Sequence, residues 1–445
     1  MSTRYSSQEV DPAPLGQPLP FAFSGLTAKN RFLNGAMTER MASWSAKDPS
    51  KRGIPSEEYI NLYRNWGKAG WGVILTGNIQ VHAEHLEAPG NAIIGIDHPF
   101  SGERFETYKR VAKEAKADGS LLIAQISHPG RQISQELQPN PVSASDMQLT
   151  KQVWGMKFGK PHAASAQEIA DIKAAFVHCA VYLEKAGFDG VQLHGAHGYL
   201  LAQFLSPTTN LRTDNYGGSL ENRARIITEI ANEIQAQTGK GFSLSIKINS
   251  VEFQEKGFST DEATKLVQLL EAHKFDFVEL SGGTYEQTAW HHERESTRAR
   301  EGFFLEFAEK ITPHLKQTKS YVTGGLRSAK AMVDALRTVD GVGLGRPACM
   351  EPRLPLDILS GKVKSCIKPI TDESDFGLSV MLAGAQMRQI GRNQEPLDSS
   401  DQKHIDGFWK DLTAFTEAMK NDTKGEMSGH IDIQSIPVIP YGAAI

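Results

Sequence analysis

Cysteine is scarce in this sequence: only three of 445 residues, at Cys179, Cys349 and Cys366. They form no C-x-x-C pair, which argues against a disulfide framework, a zinc ribbon or an iron–sulfur cluster and points to a reducing compartment. Also missing is any apolar run near the roughly 20 residues that cross a bilayer. The opening MSTRYSSQEVDPAPLGQPLP has no apolar core of the signal-peptide kind, so a cytoplasmic location is expected. Charge of one sign is not in excess either. The 48 basic and 52 acidic residues leave a formal −4, too small a field to gather nucleic acid or an anionic membrane. Repeats and low-complexity tracts are absent.

What is present is an alternation. Short β-branched runs occur at 30–37, 72–79, 121–126, 190–194, 244–249, 277–281, 321–323 and 341–344, separated by amphipathic stretches at 56–69, 102–117, 166–186, 220–237, 260–273, 303–315 and 328–336. This pattern reads as β/α units around a parallel sheet. Ser165, Ser219, Ser259 and Ser328 stand where helices should be capped, Glu168 completes a capping box with Ser165, and Gly119, Gly187 and Gly239 stand where helices should stop. A doubly wound open sheet competes with a closed barrel, but its G-x-G-x-x-G fingerprint after the first strand is missing. The expected fold class is α/β, a (β/α)8 TIM barrel with a C-terminal helical extension. Residues 1–369 are expected to form the barrel, with 128–164 as a lid-like loop. Residues 370–445 are expected to add two helices, at 376–390 and 403–419, and a tail that packs on the barrel or serves assembly into homo-oligomers.

Chemistry in such a barrel gathers at the C-terminal ends of the strands. Those ends carry Ala36-Met37-Thr38 after strand one, Gly77-Asn78 after two, Gln125 in three, the run His194-Gly195-Ala196-His197-Gly198-Tyr199 after four, Lys247 in five, Ser281-Gly282-Gly283 after six, Gly324-Gly325 after seven, and Gly343, Gly345 and Arg346 at eight. The glycine-rich ends of strands seven and eight can present backbone N–H groups to a phosphate, with Arg346 as a bidentate cation, or simply allow tight turns. His194 and His197 can donate hydrogen bonds to an oxyanion, take a structural role, or bind zinc; the last lacks a nearby third ligand, and no metal site is expected. Tyr199 is suited to give a proton to a carbanion or enolate, or to pack as an ordinary aromatic. Lys247 is a fixed charge beside an anionic cofactor, a Schiff-base nucleophile, or a solvated lysine.

Read in order, these residues resemble the Old Yellow Enzyme family of FMN-dependent NAD(P)H oxidoreductases, from about Leu19 to Pro355. The most specific segment is HGAHGYLLAQFLSPTTNLRTDNYGGSLENRARI, from His194 to Ile226, supported by LTAKNRFLNGAMTER, QISHPGR, VTGG and GLGRP. The resemblance implies FMN as cofactor and NAD(P)H as co-substrate. It puts Ala36, Met37, Thr38 and Asn78 against the flavin ring, Gln125 on its pyrimidine, Lys247 beside N1 and O2, and Gly324, Gly325, Gly343, Gly345 and Arg346 on the phosphate. Lys247 stands where many relatives have Arg, and Ala36 where many have Pro. The implied reaction is ping-pong: hydride passes from NAD(P)H to FMN, then to the β-carbon of an α,β-unsaturated carbonyl compound. That compound's oxygen is held by His194 and His197, and Tyr199 protonates the α-carbon. Two other functions compete: a flavin-free phosphate-binding barrel isomerase or aldolase using Lys247, and a flavin NADH oxidase or biosynthetic redox enzyme. Substrate size and shape are expected to be set by 128–164 and by Arg40, Trp44, Trp154, Trp290, His291 and His292, with surface or packing roles for these side chains as the equal alternative.

Overall fold

The computed structural model describes residues 2–152, 155–249, 260–282 and 304–443. Eight parallel strands close on themselves: β1 (Phe32–Asn34), β2 (Val73–Leu75), β3 (Leu121–Ser127), β4 (Gly190–Gly195), β5 (Ser243–Asn249), β6 (Phe277–Ser281), β7 (Lys319–Thr323) and β8 (Gly341–Leu344). Each pairs with the next, and Val342 of β8 returns to Phe32 of β1. The barrel expected from the alternation is the one observed.

Helices follow the strands. They are α1 (Glu57–Gly67), α2 (Gly102–Ala115), α3 (Ala166–Lys185), α4 (Leu200–Leu205), α5 (Leu220–Gln237), α6 (Thr260–Ala272), α7 (Leu305–Ile311), α8 (Ala329–Ala335), α9 (Arg346–Met350), α10 (Leu354–Leu359), α11 (Phe376–Gly391) and α12 (Gln402–Asn421). Ser165, Ser219 and Ser328 accept from backbone N–H groups of the first turns of α3, α5 and α8, and the Ser165–Glu168 box is complete. Ser259 lies outside the described residues. None of these helices is long and apolar enough to cross a membrane.

The two-residue period of a strand decides what each side chain meets. Leu33, Val73, Leu75, Leu121, Ile123, Phe277 and Tyr321 point into the barrel, where they pack with Leu19, Phe21 and Ala28 of an N-terminal hairpin that plugs one end. Their neighbours Phe32, Ile74, Leu122, Val278 and Val322 point outward into the larger core under the helices. Continuing the inward set toward the opposite end reaches polar residues instead: Gln125, Gln192, Lys247, Glu279 and Thr323. The plugged end is thus apolar, and the open end is chemical.

The C-terminal region folds back on the barrel. Asn65 Nδ2 of α1 donates to the Ile390 carbonyl of α11 at 2.9 Å. A Cβ on Gly391 would come within 2.6 Å of the Glu58 carbonyl oxygen, so the small residue permits this close approach. Leu378, Leu382 and Ala385 of α11 form a second apolar cluster with Ile405, Phe408 and Leu412 of α12 and with Ile431 and Ile433 of the tail.

Candidate active site

Strand register brings the polar layer together. Gln125 pairs with Gln192 across β3 and β4, and Lys247 with Glu279 across β5 and β6. Gln125 Nε2 donates to Gln192 Oε1 at 2.8 Å, and Gln192 Nε2 donates to Glu279 Oε2 at 2.9 Å. Lys247 Nζ lies 3.0 Å from Glu279 Oε1, which also accepts from Thr323 Oγ1 at 2.6 Å. A buried charge must be paired or hydrogen-bonded, and this lysine and carboxylate satisfy one another.

Above this layer the two histidines converge. His194 Nε2 and His197 Nδ1 are 3.1 Å apart, while the far nitrogens lie 3.2 Å from Ser127 Oγ and 3.1 Å from Ser281 Oγ. His197 takes a left-handed backbone, φ 59°, held by its N–H donating to Asn249 Oδ1 at 3.0 Å. If both serine hydroxyls donate outward, the two facing nitrogens each carry a proton, and an acceptor oxygen seated between them relieves their opposition. Burial, with Lys247 as a secondary cause, holds His197 down to about 3. His194 is pushed well below the usual imidazole range by burial, then by His197 and Lys247. Both donors are therefore neutral at physiological pH. The Tyr199 ring stacks at a tilt on His194, with centroids 4.6 Å apart.

The ends of β1 and β2 make another wall. Thr38 Oγ1 donates to Asn78 Oδ1 at 3.1 Å, and Gly77 N–H donates to Glu39 Oε1 at 2.8 Å. The ends of β7 and β8 open a glycine cradle. Gly324 and Gly325 have φ of 140° and 75°, and a Cβ on Gly343 would fall 1.9 Å from Thr323 Oγ1. Arg346 follows at the start of α9. Burial, then nearby Arg327, lowers its guanidinium to about 10, so it stays cationic at neutral pH.

All fourteen site residues expected from the sequence line one cavity of about 440 Å³, a size suited to a small molecule or cofactor. They are Ala36, Met37, Thr38, Asn78, Gln125, His194, His197, Tyr199, Lys247, Gly324, Gly325, Gly343, Gly345 and Arg346. Lysine and amide donors at one end, and glycine backbone with an arginine at the other, form a donor set that fits a planar dione ring carrying a phosphate. Among the described residues no three His, Cys, Asp or Glu side chains are arranged to hold a metal ion.

Other lining groups escaped the sequence reading. Arg327 lies just beyond the paired glycines and pairs with Glu373 at 2.9 Å. Phe376, Val380 and Met387 of α11, and His430 of the tail, close the cavity from the C-terminal side. His430 Nε2 lies 2.9 Å from the Thr38 carbonyl. Burial, then Arg40 and Arg388, pulls its imidazole down to about 3, so a neutral ring donates that bond. Of the expected shape-setting residues, Arg40 lines the cavity, whereas Trp44 donates to the Gly425 carbonyl. No described residue of 128–164 lines the cavity; that segment reaches the site through Gln132 Nε2, which donates to the His197 carbonyl at 2.9 Å. Gly283, Trp154, Trp290, His291 and His292 lie outside the described residues.

Comparison with known proteins places this geometry among relatives. Residues 15–364 match the profile of the NADH:flavin oxidoreductase / NADH oxidase family. The NADH-dependent flavin oxidoreductase nadA of Aspergillus parasiticus is 51% identical over 405 residues, covering 91% of each chain. The NADH-dependent flavin oxidoreductase iliE of a Neonectria species is 33% identical over 402 residues, covering 84% of this chain and 51% of its own. Among solved structures, morphinone reductase superposes with a TM-score of 0.62 at 20% identity, covering 81% of this chain and 92% of its own.

Proposed function

Since the chain belongs to the NADH:flavin oxidoreductase / NADH oxidase family, whose members work with FMN and a nicotinamide dinucleotide, we propose that it is an ene-reductase acting on α,β-unsaturated carbonyl compounds. The observation that carries this reading is the convergence of His194 Nε2 and His197 Nδ1, 3.1 Å apart, beside Tyr199 at the cavity wall. When bound, FMN would supply two-electron hydride chemistry linking the nicotinamide to the substrate's β-carbon.

The residues of the chain do the rest. Lys247, Gln125, Thr38 and Asn78 seat the ring, and the glycine cradle with Arg346 seats the phosphate. Ala36 and Met37, which line the cavity, would pack along the ring. His194 and His197 hold the substrate oxygen as neutral donors; negative charge gathering on that oxygen in the transition state strengthens both bonds, which lowers the barrier. The phenol of Tyr199 gives its proton to the α-carbon, a step worth about 10²- to 10⁴-fold. Walls from α11 and the tail exclude water from the reacting atoms.

Neither competing reading is favoured by the geometry. A Schiff-base role asks for a free lysine amine, and Lys247 sits against Glu279; a plain NADH oxidase needs neither the donor pair nor a proton donor on carbon.

The test separates the half-reactions by stopped flow. Tyr199→Phe should bind FMN and be reduced by NADH at the native rate, yet reduce 2-cyclohexenone at least about 10²-fold more slowly. Equal slowing of both half-reactions would refute the assignment.

A further inference from the structure

Glu279 has no role in the reaction as described, yet three side chains beneath the cavity converge on its carboxylate. Its residue is 0% exposed, and its bonds come from three other strands: Lys247 of β5, Gln192 of β4 and Thr323 of β7. Two consequences follow from elementary electrostatics. First, a carboxylate 3.0 Å from Lys247 Nζ cancels much of the field this lysine sends into the cavity. Second, an ionised carboxylate only accepts hydrogen bonds, so Gln192 must turn its NH2 group toward Glu279. The Gln192 carbonyl then faces Gln125 and takes that residue's NH2 group at 2.8 Å. One acceptor thereby dictates the orientation of two amides, the second of which lines the cavity.

Resting on the FMN reading above, we infer that Glu279 is a positioning residue that sets both the charge and the hydrogen-bond polarity of the cavity floor beneath the cofactor's pyrimidine edge. Its carboxylate holds the reduction potential of the bound flavin down, because extra negative charge on the reduced ring meets a partly neutralised lysine instead of a bare one. Thr323 extends the same carboxylate's grip to the end of β7, just before Gly324 and Gly325, so the two ends of the cofactor site share one anchor.

The experiment uses FMN-loaded protein and compares the native chain with Glu279→Gln, which keeps the shape and removes the charge. Sulfite, an anion that bleaches bound flavin, should bind on the order of tenfold more tightly to the variant. The midpoint potential, measured against a reference dye, should rise by the equivalent of that tenfold change, about 30 mV for a two-electron couple. A sulfite affinity within twofold of native and a potential within the equivalent of that twofold, about 9 mV, would overturn the inference, since a merely structural carboxylate moves neither. Should Glu279→Gln fail to fold, Lys247→Met and Lys247→Met/Glu279→Gln decide the matter by FMN retention. The single variant leaves a buried carboxylate without its cation, so the double variant should hold FMN at least tenfold more tightly; equal retention would overturn the inference. Native protein that carries no FMN and shows no band near 450 nm would instead refute the proposed function.

Discussion

Lowering the pH from 7 to 5.5 should destabilise the folded chain, and three imidazoles partly or fully withdrawn from water set the size of the effect. Burial holds His85, His197 and His430 at about 3, against an ordinary value of 6.5. Neighbouring His82 and His162 lower His85 further, Lys247 does so for His197, and Arg40 for His430. Each ring therefore stays neutral when folded and becomes charged when unfolded. At pH 5.5 the unfolded chain binds about 0.9 proton more at each of these sites. A folded pKa below the unfolded one makes stability rise with pH, so the contribution is intact above about 6.5 and is lost as pH falls toward 3. Three such groups give a slope of about 4 kcal/mol per pH unit near pH 5.5. Burial also lowers His128 and His194, which adds to the slope. Glu39, Glu351 and Glu373, whose carboxyls burial raises, work in the opposite direction. The assay is thermal unfolding at fixed ionic strength and saturating FMN, with the midpoint recorded from pH 7.5 to 5.5. A midpoint that stays flat or rises on acidification would refute the reasoning. His85→Gln removes one titrating ring and should cut the slope near pH 5.5 by about 1.2 kcal/mol per pH unit; an unchanged slope would discount that ring.

Two further outcomes concern the cofactor and the wall. Arg346→Lys exchanges a forked, planar cation for a point charge, so FMN affinity should fall about 10- to 100-fold in a fluorescence titration of apoprotein; unchanged affinity would remove Arg346 from the phosphate site. His430→Ala deletes the donor to the Thr38 carbonyl and opens space in the wall, so the visible spectrum of bound flavin should shift and bulky enones should gain in kcat/KM over small ones; an unaltered spectrum with unaltered selectivity would mean that the tail does not shape the site.

Legibility in the sequence followed the range of the interactions involved. The barrel strands were readable because alternation, caps and turn glycines act over a few residues. The cavity residues were readable because a closed barrel sends the C-terminal ends of its strands to one face, so that Gln125, Lys247 and Gly345 meet without any knowledge of loops. Glu279 was not. Within FVELS it is a lone charge in an apolar run, and only the register that sets it beside Lys247 gives it a partner. Arg327 was missed although it stands two residues beyond Gly325, because strand and helix patterns say nothing of where a turn aims its side chain. The C-terminal wall depends on α11 lying across α1, and helix-on-helix packing leaves no local mark on either sequence. The lid expectation at 128–164 rested on loop length, on composition and on Trp154, which lies outside the described residues.

The bond between His430 and Thr38 joins positions 392 residues apart, and this bears on how the molecule is made. Chain synthesis runs from the N-terminus, so strands, glycine cradle and histidine pair can assemble while the closing segment is still in the ribosome. A barrel at that stage has a site open along one side, exposing the apolar surface that α11 later covers. Loop-closure entropy makes so distant a contact among the last to form. Early arrival of FMN would then give the returning segment a surface to close upon, and nascent chains should capture the cofactor before they acquire their final selectivity.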